Sequence, residues 1–424
     1  MTNNNLLYDI NDKPKKWYEW IVYPLQQVFA VFVATVLISN ICGTPVSSCL
    51  FGAGLGTIIY QLITGFKSPM FISSCGATVS AVCGALALNE ASDNYLMVCC
   101  GGFIILLIYT IFAFVVKKLG METLNKIFPP SIVGAVTMVI GLNLATFIFS
   151  YVNGDSVSGT IPTVSTLIAI FTMLVAALTA HYGKGFLKNI PFLIALIAGY
   201  ILALCCGKVS FDAFSNLRWY PDFTFLRWST DDWSLINLGK TTLYFVPVAV
   251  CALLEHYSDH KVLSNIIGTD LTREPGLHKT LLGDGVASAI GTVVCGLPNT
   301  SYGESIATTG FSRVASTVVI TVAALIIMAL SFIAPIGAFI QTIPSCVFGG
   351  CAMILYGYIA SSGLKTLVNN KIDLENIKNL IIVSVVLTVG VSGIYLFDAA
   401  FAGVSLAMVL GMILNLILRD KKTA

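Results

Sequence analysis

Apolar residues run through this chain in blocks of about twenty, a length that carries a helix across roughly 30 Å of hydrocarbon. The pattern predicts fourteen such segments, near 18–40, 46–65, 69–89, 95–116, 128–149, 160–182, 190–206, 240–258, 279–296, 298–312, 315–338, 344–362, 378–395 and 398–418. Two of them break the rule. Segment 69–89 opens on Pro69 and continues through Ser73-Ser74-Cys75-Gly76-Ala77-Thr78, and 298–312 opens on Pro298 and reads Asn299-Thr300-Ser301-Tyr302-Gly303-Glu304. Their prolines and small hydroxylated residues do not suit a continuous lipid-facing helix.

Basic residues test the count. With the N-terminus in the cytoplasm and fourteen crossings, nineteen of the 23 Lys and Arg fall inside. Lys208, Arg218, Arg227 and Lys240 fall outside, in or beside the loop 207–239. This is the positive-inside bias of a multi-pass protein with both termini cytoplasmic, and it requires the two weak segments to count as crossings. The long loop divides seven spans from seven. Two odd-numbered halves have opposite orientations, the arrangement of an inverted repeat. A faint echo agrees: Pro130-Ser131-x-Val133 recurs as Pro344-Ser345-x-Val347, about 214 residues on. The weak segments are third in each half, and paired interrupted spans point to a substrate site at the membrane midplane, as in a carrier.

Composition excludes the other classes. Of 424 residues 56% are hydrophobic and 10% charged, against about 25% charged in a soluble domain. The net charge of +2 offers no basic field for nucleic acid. Twelve cysteines (42, 49, 75, 83, 99, 100, 205, 206, 251, 295, 346 and 351) lie in or beside apolar stretches without a CxxC pair, so neither a metal nor a disulfide framework is expected. The first sixteen or so residues are polar and lack the apolar region of a cleavable signal. No nucleophile–base pair or metal set marks an enzyme.

Ionisable residues inside apolar segments are the candidates for chemistry, since a centred carboxylate costs about 2.5–3.5 kcal/mol on insertion scales and normally faces a cavity. Glu255, Asp259, Asp284, Glu304 and Asp398 lie in or at the ends of spans. Helical spacing puts Glu255 and Asp259 on one face and His256 and His260 on another. For Asp259, His260 and Asp284 a span end bathed by headgroups is the competing reading. Glu304 follows Tyr302-Gly303, where a half-helix would begin and its free N–H groups would favour an ionised carboxylate. His181 and His278 adjoin lysines and read as surface residues.

The run Pro298-Asn299-Thr300-Ser301-Tyr302-Gly303-Glu304-Ser305-Ile306 resembles the tenth-span motif of the nucleobase–ascorbate transporter family, in particular its bacterial uracil permease branch. Glu255-His256, the stretch from Asp270 to His278, Phe128-Pro129-Pro130 and Leu355-Tyr356-Gly357 are similar to the same branch, so the likeness covers nearly the whole chain. It implies an all-α polytopic fold of two inverted seven-span repeats, with short antiparallel strands in the third and tenth spans. A cytoplasmic segment 1–16 would lead into a core domain built of 17–118, 240–314 and 315–338. A gate domain would take 119–206 and 339–418, leaving 207–239 as an extracytoplasmic loop and 419–424 as a cytoplasmic tail. The resemblance further implies a cytoplasmic-membrane importer of uracil with protons, needing no cofactor. Glu255, Glu304, Tyr302, Gly303, Cys75, Gly76 and Tyr356 would hold the base, and Glu255, His256, Asp259 and His260 would handle the proton. A homodimer is compatible with the Gly and Ala positions of the gate spans. Two departures widen the expectation. Ser305 stands where the uracil branch has Asn, and Ser74-Cys75-Gly76-Ala77 lacks the third-span aromatic of related permeases. A xanthine or urate permease is therefore the alternative, although the Gln-Asn pair of that branch is Pro298-Asn299 here. A sulfate-type anion exchanger of the same fold is disfavoured by two carboxylates in the site.

Overall fold

The computed structural model describes residues 6–88, 94–119, 129–153, 163–184, 191–211, 229–230, 233–333, 335, 339–340, 342–394 and 403–418. Among these, fourteen helices of eight or more residues follow one another: α1 (Glu19–Cys42), α2 (Val46–Thr64), α3 (Val79–Leu86), α4 (Leu96–Leu119), α5 (Pro130–Asn153), α6 (Thr163–Tyr182) and α7 (Pro191–Cys205). The second set is α8 (Leu235–Ile267), α9 (Leu277–Val293), α10 (Gly303–Ser312), α11 (Thr317–Ser331), α12 (Ser345–Asn369), α13 (Ile377–Ser392) and α14 (Val404–Ile417). Six of them, α1, α2, α4, α6, α8 and α12, are long and apolar enough to cross a membrane on that measure alone. The outer faces are apolar too. Leu167, Phe171, Leu174 and Leu178 of α6 are all exposed, which suits lipid as the surrounding medium.

The two interrupted segments are each a strand followed by a short helix. Strand β1 (Ile72–Ser74) precedes α3, and β2 (Asn299–Ser301) precedes α10. They pair antiparallel, Ile72 opposite Ser301 and Ser74 opposite Asn299, and the Cys75 N–H extends the ladder to the Pro298 carbonyl at 2.8 Å. Proline starts each segment because it removes a donor that no helix could use there. The strands' outer bonding groups are met by side chains of α2 and α9: Thr57 exchanges two bonds with Ile72, and the Ser288 hydroxyl donates to the Asn299 carbonyl. The Asn299 side chain in turn donates to the Gly52 and Ala287 carbonyls of the same two helices.

Contacts fall into two groups. In one, α2 packs on α9 and α11, α4 on α8 and α9, and α1 on α11. In the other, α5 packs on α12, α13 and α14, and α6 and α7 pack on α12 and on each other. The groups meet through α8 with α5 and α14, and through α1 with α7 and α12. Exchanging every helix with its counterpart seven places along maps these pairs onto one another: α1–α11 onto α8–α4, α6–α12 onto α13–α5, α1–α7 onto α8–α14. The echoed Pro130-Ser131 and Pro344-Ser345 start α5 and α12, which pack against each other.

Helix α8 departs from the expected span 240–258. It runs 33 residues, through Pro247, to Ile267, so Asp259 and His260 sit within it rather than at a solvated end. It continues because its polar residues find partners on neighbouring helices, as described below. Asp398 lies outside the described residues, as does Phe128 of the expected fifth span.

Candidate functional site

Three carboxylates meet beside the paired strands. Glu255 and Asp259 stand one turn apart on α8, and Glu304 sits in the first turn of α10. All three are half-buried and within electrostatic reach of one another. Asp259 Oδ2 accepts the Ser301 hydroxyl at 2.9 Å, so α8 touches β2 directly.

The start of α10 completes one side. Tyr302 is buried in extended backbone as the helix cap, and its ring lies within electrostatic reach of Tyr356 from α12. Gly303 is exposed, and a Cβ built there would meet nothing within 4 Å. The first N–H groups of a helix have no partner inside it, so the opening at Gly303 lies beside donors as well as the Glu304 carboxylate. On the β1 side Cys75 is buried and within electrostatic reach of Glu255, with Gly76 half-buried after it. Phe71 is fully buried and packs into the core, so the described third-span side presents only small residues. Behind α10, the α1 residue Gln27 donates to Thr309 Oγ1 at 3.2 Å and to the Ser305 carbonyl at 3.5 Å.

The histidines face the other way. His256 and His260 are fully buried, their rings stacked 4.0 Å apart. His256 Nδ1 bonds Asp284 Oδ2 at 2.5 Å and its Nε2 lies 3.1 Å from Thr280 Oγ1. Asp284 Oδ2 also accepts the Thr300 hydroxyl at 3.1 Å and the Ser301 N–H at 3.3 Å. His260 Nδ1 donates to the His256 carbonyl at 2.8 Å, which leaves Nε2 of the neutral ring to accept the Tyr60 hydroxyl at 2.8 Å. Tyr60 in turn lies 2.8 Å from the Ser68 hydroxyl, just ahead of β1. Thus α8 is tied to β2 through Asp284 and to the approach to β1 through Tyr60.

The structure therefore places Glu255, Asp259, Glu304, Tyr302 and Gly303 where α8 adjoins β2 and the start of α10, with Cys75 and Gly76 at the end of β1 and Tyr356 on α12 in the same neighbourhood, and it ties His256 and His260 to other partners. Sequence reasoning weighed Asp284 as a candidate against a solvated span end and assigned it no role in the site; it is an interior acceptor, and its Gly283-Asp284-Gly285 setting in an apolar run was the available signal. Ser301, Tyr60 and Gln27 carried no signal, because their partners are distant in sequence. The described residues hold no group of three or more His, Cys, Asp or Glu able to bind a metal ion.

The arrangement can accept hydrogen bonds from a small planar solute with N–H groups and donate to its carbonyls. The Permease family profile for xanthine and uracil permeases matches residues 18–399. The uracil permease of Bacillus subtilis (strain 168) is 35% identical over 429 residues, covering 100% of this chain and 97% of that protein. The uracil permease of Escherichia coli (strain K12) is 35% identical over 93% of this chain and 90% of its own. Among solved structures, the transmembrane domain of the cyanobacterial bicarbonate transporter BicA superposes with a TM-score of 0.67 at 14% identity, covering 96% of this chain and 99% of that one. The anion transporter SLC26A9 gives a TM-score of 0.68 at 13% identity over 94% of this chain and 64% of its own. At such identities these two share the fold alone.

Proposed function

The chain belongs to the Permease family of nucleobase–ascorbate transporters, and on that premise we propose that it imports uracil together with protons across the cytoplasmic membrane. It is a membrane permease and not an enzyme. The observation that carries the uracil reading is the meeting of Glu255 and Glu304 beside the opening at Gly303. Uracil has two N–H donors and two carbonyls on a flat ring. The carboxylates accept from the N–H groups, and the first N–H groups of α10 donate to a carbonyl. A solute lacking one of these groups leaves a buried partner unpaired, which is the basis of strong discrimination.

Coupling follows from charge. Three carboxylates in mutual reach repel one another, and moving them ionised through the interior is unfavourable. A proton taken up around Glu255 and Asp259 with the substrate lowers that barrier. The two contact groups supply the moving parts: α1–α4 with α8–α11 as the core, and α5–α7 with α12–α14 as the gate, in alternating access. The self-matching contact scheme is what supports fourteen spans in two inverted repeats, and the positive-inside bias of the sequence is what supports both termini being cytoplasmic.

A purine permease remains the second reading, because Cys75, Gly76 and Ala77 leave the third-span wall small. The test is the melting temperature of the purified protein with uracil, thymine, xanthine, hypoxanthine, urate or sulfate, since a ligand that binds only the folded state raises it. Stabilisation by uracil, abolished in Glu304→Ala, is expected. Stabilisation by xanthine and not uracil would move the chain to the purine branch.

A further inference from the structure

The polar N-terminal segment docks on the corner that follows the Glu304 half-helix. Leu7 N–H donates to the Arg313 carbonyl at 2.8 Å, Ala315 N–H to Tyr8 at 2.9 Å and Thr317 N–H to Ile10 at 3.0 Å, a parallel bridge across the α10–α11 turn. The Ser316 hydroxyl adds a bond to the Asp12 carbonyl at 2.6 Å. Tyr8 is buried, its hydroxyl donating at 2.5 Å to Glu19 Oε2, which also takes the Lys15 and Lys16 N–H groups at 3.0 Å. Leu6 and Ile10 pack against the cluster that contains Ile306 of α10, Ile72 of β1 and Leu263 and Ile267 of α8.

The same device recurs in the other half. The segment before α8 meets the corner before α4: Asn94 Nδ2 donates to the Ser229 carbonyl at 2.9 Å, and the Ser229 N–H returns a bond to Asn94 Oδ1 at 3.1 Å. Exchange of helices seven places along carries one contact onto the other. Each segment that precedes a seven-helix half thus grips the corner after the opposite half's interrupted segment. On the orientation proposed above, the two grips lie on opposite membrane faces.

We propose that these are paired clasps, with Tyr8 and Ile10 positioning α10, and Asn94 and Ser229 positioning α3, for substrate. A half-helix of ten residues is too short to hold itself by its own hydrogen bonds. Its start must nevertheless keep the Glu304 carboxylate and the N–H groups at Gly303 aimed at one place. The α1 side supplies Gln27 along its length, and the clasp fixes its far end.

The experiment rests on the uracil reading for one of its two readouts only. Ile10→Asp places a charge against the cluster that contains Ile306, Ile10→Val keeps the packing, and Asn94→Asp keeps the Oδ1 acceptor while removing the donor to Ser229. In uptake by proteoliposomes, Ile10→Asp is expected to raise the uracil KM about fivefold, as when the binding-competent fraction falls to about a fifth, with maximal rate per folded molecule retained. Ile10→Val should return it to the wild-type value. Without any ligand, amide exchange should quicken in 303–312 but not 79–86 for Ile10→Asp, and the reverse for Asn94→Asp. If Ile10→Asp does not accumulate, Tyr8→Phe, which removes the hydroxyl's bond to Glu19 and its acceptance of the Lys15 N–H, takes its place. An unchanged exchange pattern, or equal loosening of both half-helices in both variants, overturns the clasps. Wild-type protein indifferent to uracil overturns the substrate reading and leaves the exchange result standing.

Discussion

The Ser301 hydroxyl donates to Asp259 at 2.9 Å, joining helix α8 to the strand that leads into the Glu304 half-helix. Protonation of that carboxylate is therefore felt by β2 without any intervening residue. Neutralising Asp259 should separate binding from coupling. Asn at this position keeps an oxygen for Ser301 and removes the charge. Asp259→Asn is expected to bind uracil and exchange it across a membrane while no longer accumulating it against a gradient. Counterflow and net uptake in the same proteoliposomes distinguish the two, and accumulation at the wild-type level would sink the assignment.

At the surface, Lys67 and Glu274 form an exposed 2.7 Å ion pair between the α2–β1 and α8–α9 connections. The Lys67 ammonium holds the Glu274 carboxyl below its usual range by hydrogen bonding and charge. A lowered folded value means that the pair's contribution is present above the unfolded range, about pH 4.3, and is lost as pH falls through the folded value. Exposed pairs are screened and weak. Wild type and Lys67→Met should therefore melt close together at pH 7 and converge below about pH 4. A gap that widens on acidification would contradict this sign.

How much of this was readable from the chain follows from where each partner lies. The apolar helices were legible because lipid demands long apolar runs whatever their neighbours, and the interruptions because Pro69 and Pro298 stand among small polar residues. The pairing of β1 with β2 came only from the family likeness: three-residue strands carry no periodicity. Glu255 and Glu304 were visible as charges in apolar surroundings. The sorting of α8 into a carboxylate face and a histidine face was visible from helical spacing, but not which face met the site. That depends on α2 and α9 lying beside α8, and lateral order is not written in hydropathy. The same holds for the extension of α8 beyond 258, where Asp259 and His260 look like a solvated end until Ser301 and Tyr60 are in place.

The crossing of α5 and α12 sets a third test. A Cβ at Gly363 would lie 2.5 Å from the Gly134 carbonyl oxygen and from the Met138 nitrogen, both main-chain atoms that cannot swing aside. Small residues let membrane helices approach this closely. Gly363→Ala should force the two helices apart, at about 1–3 kcal/mol of overpacking. The expected result is a lower melting temperature and slower uptake, with the uracil melting shift preserved because the carboxylate cluster lies on other helices. A lost uracil shift with normal melting would place Gly363 in the site instead.

The buried chain from His260 through Tyr60 to Ser68 offers the sharpest energetic test, because each member bonds the next directly and no water is needed to close it. Tyr60→Phe removes the 2.8 Å donor to His260 Nε2 and leaves that fully buried acceptor only the Ser68 hydroxyl at 3.5 Å, which costs about 1–3 kcal/mol. His260→Leu removes the acceptor while Tyr60 keeps Ser68, so it should be destabilising by a smaller hydrogen-bonding margin plus the loss of the bond to the His256 carbonyl. In the double variant the poorly paired acceptor no longer exists. Tyr60→Phe/His260→Leu is thus expected to be less destabilised than the sum of the singles, by a coupling of about 0.5–3 kcal/mol. Thermal or denaturant unfolding in a fixed detergent gives the four corners of the cycle. Simple additivity would mean that the 2.8 Å contact contributes nothing, and that some other packing holds α8 against α2.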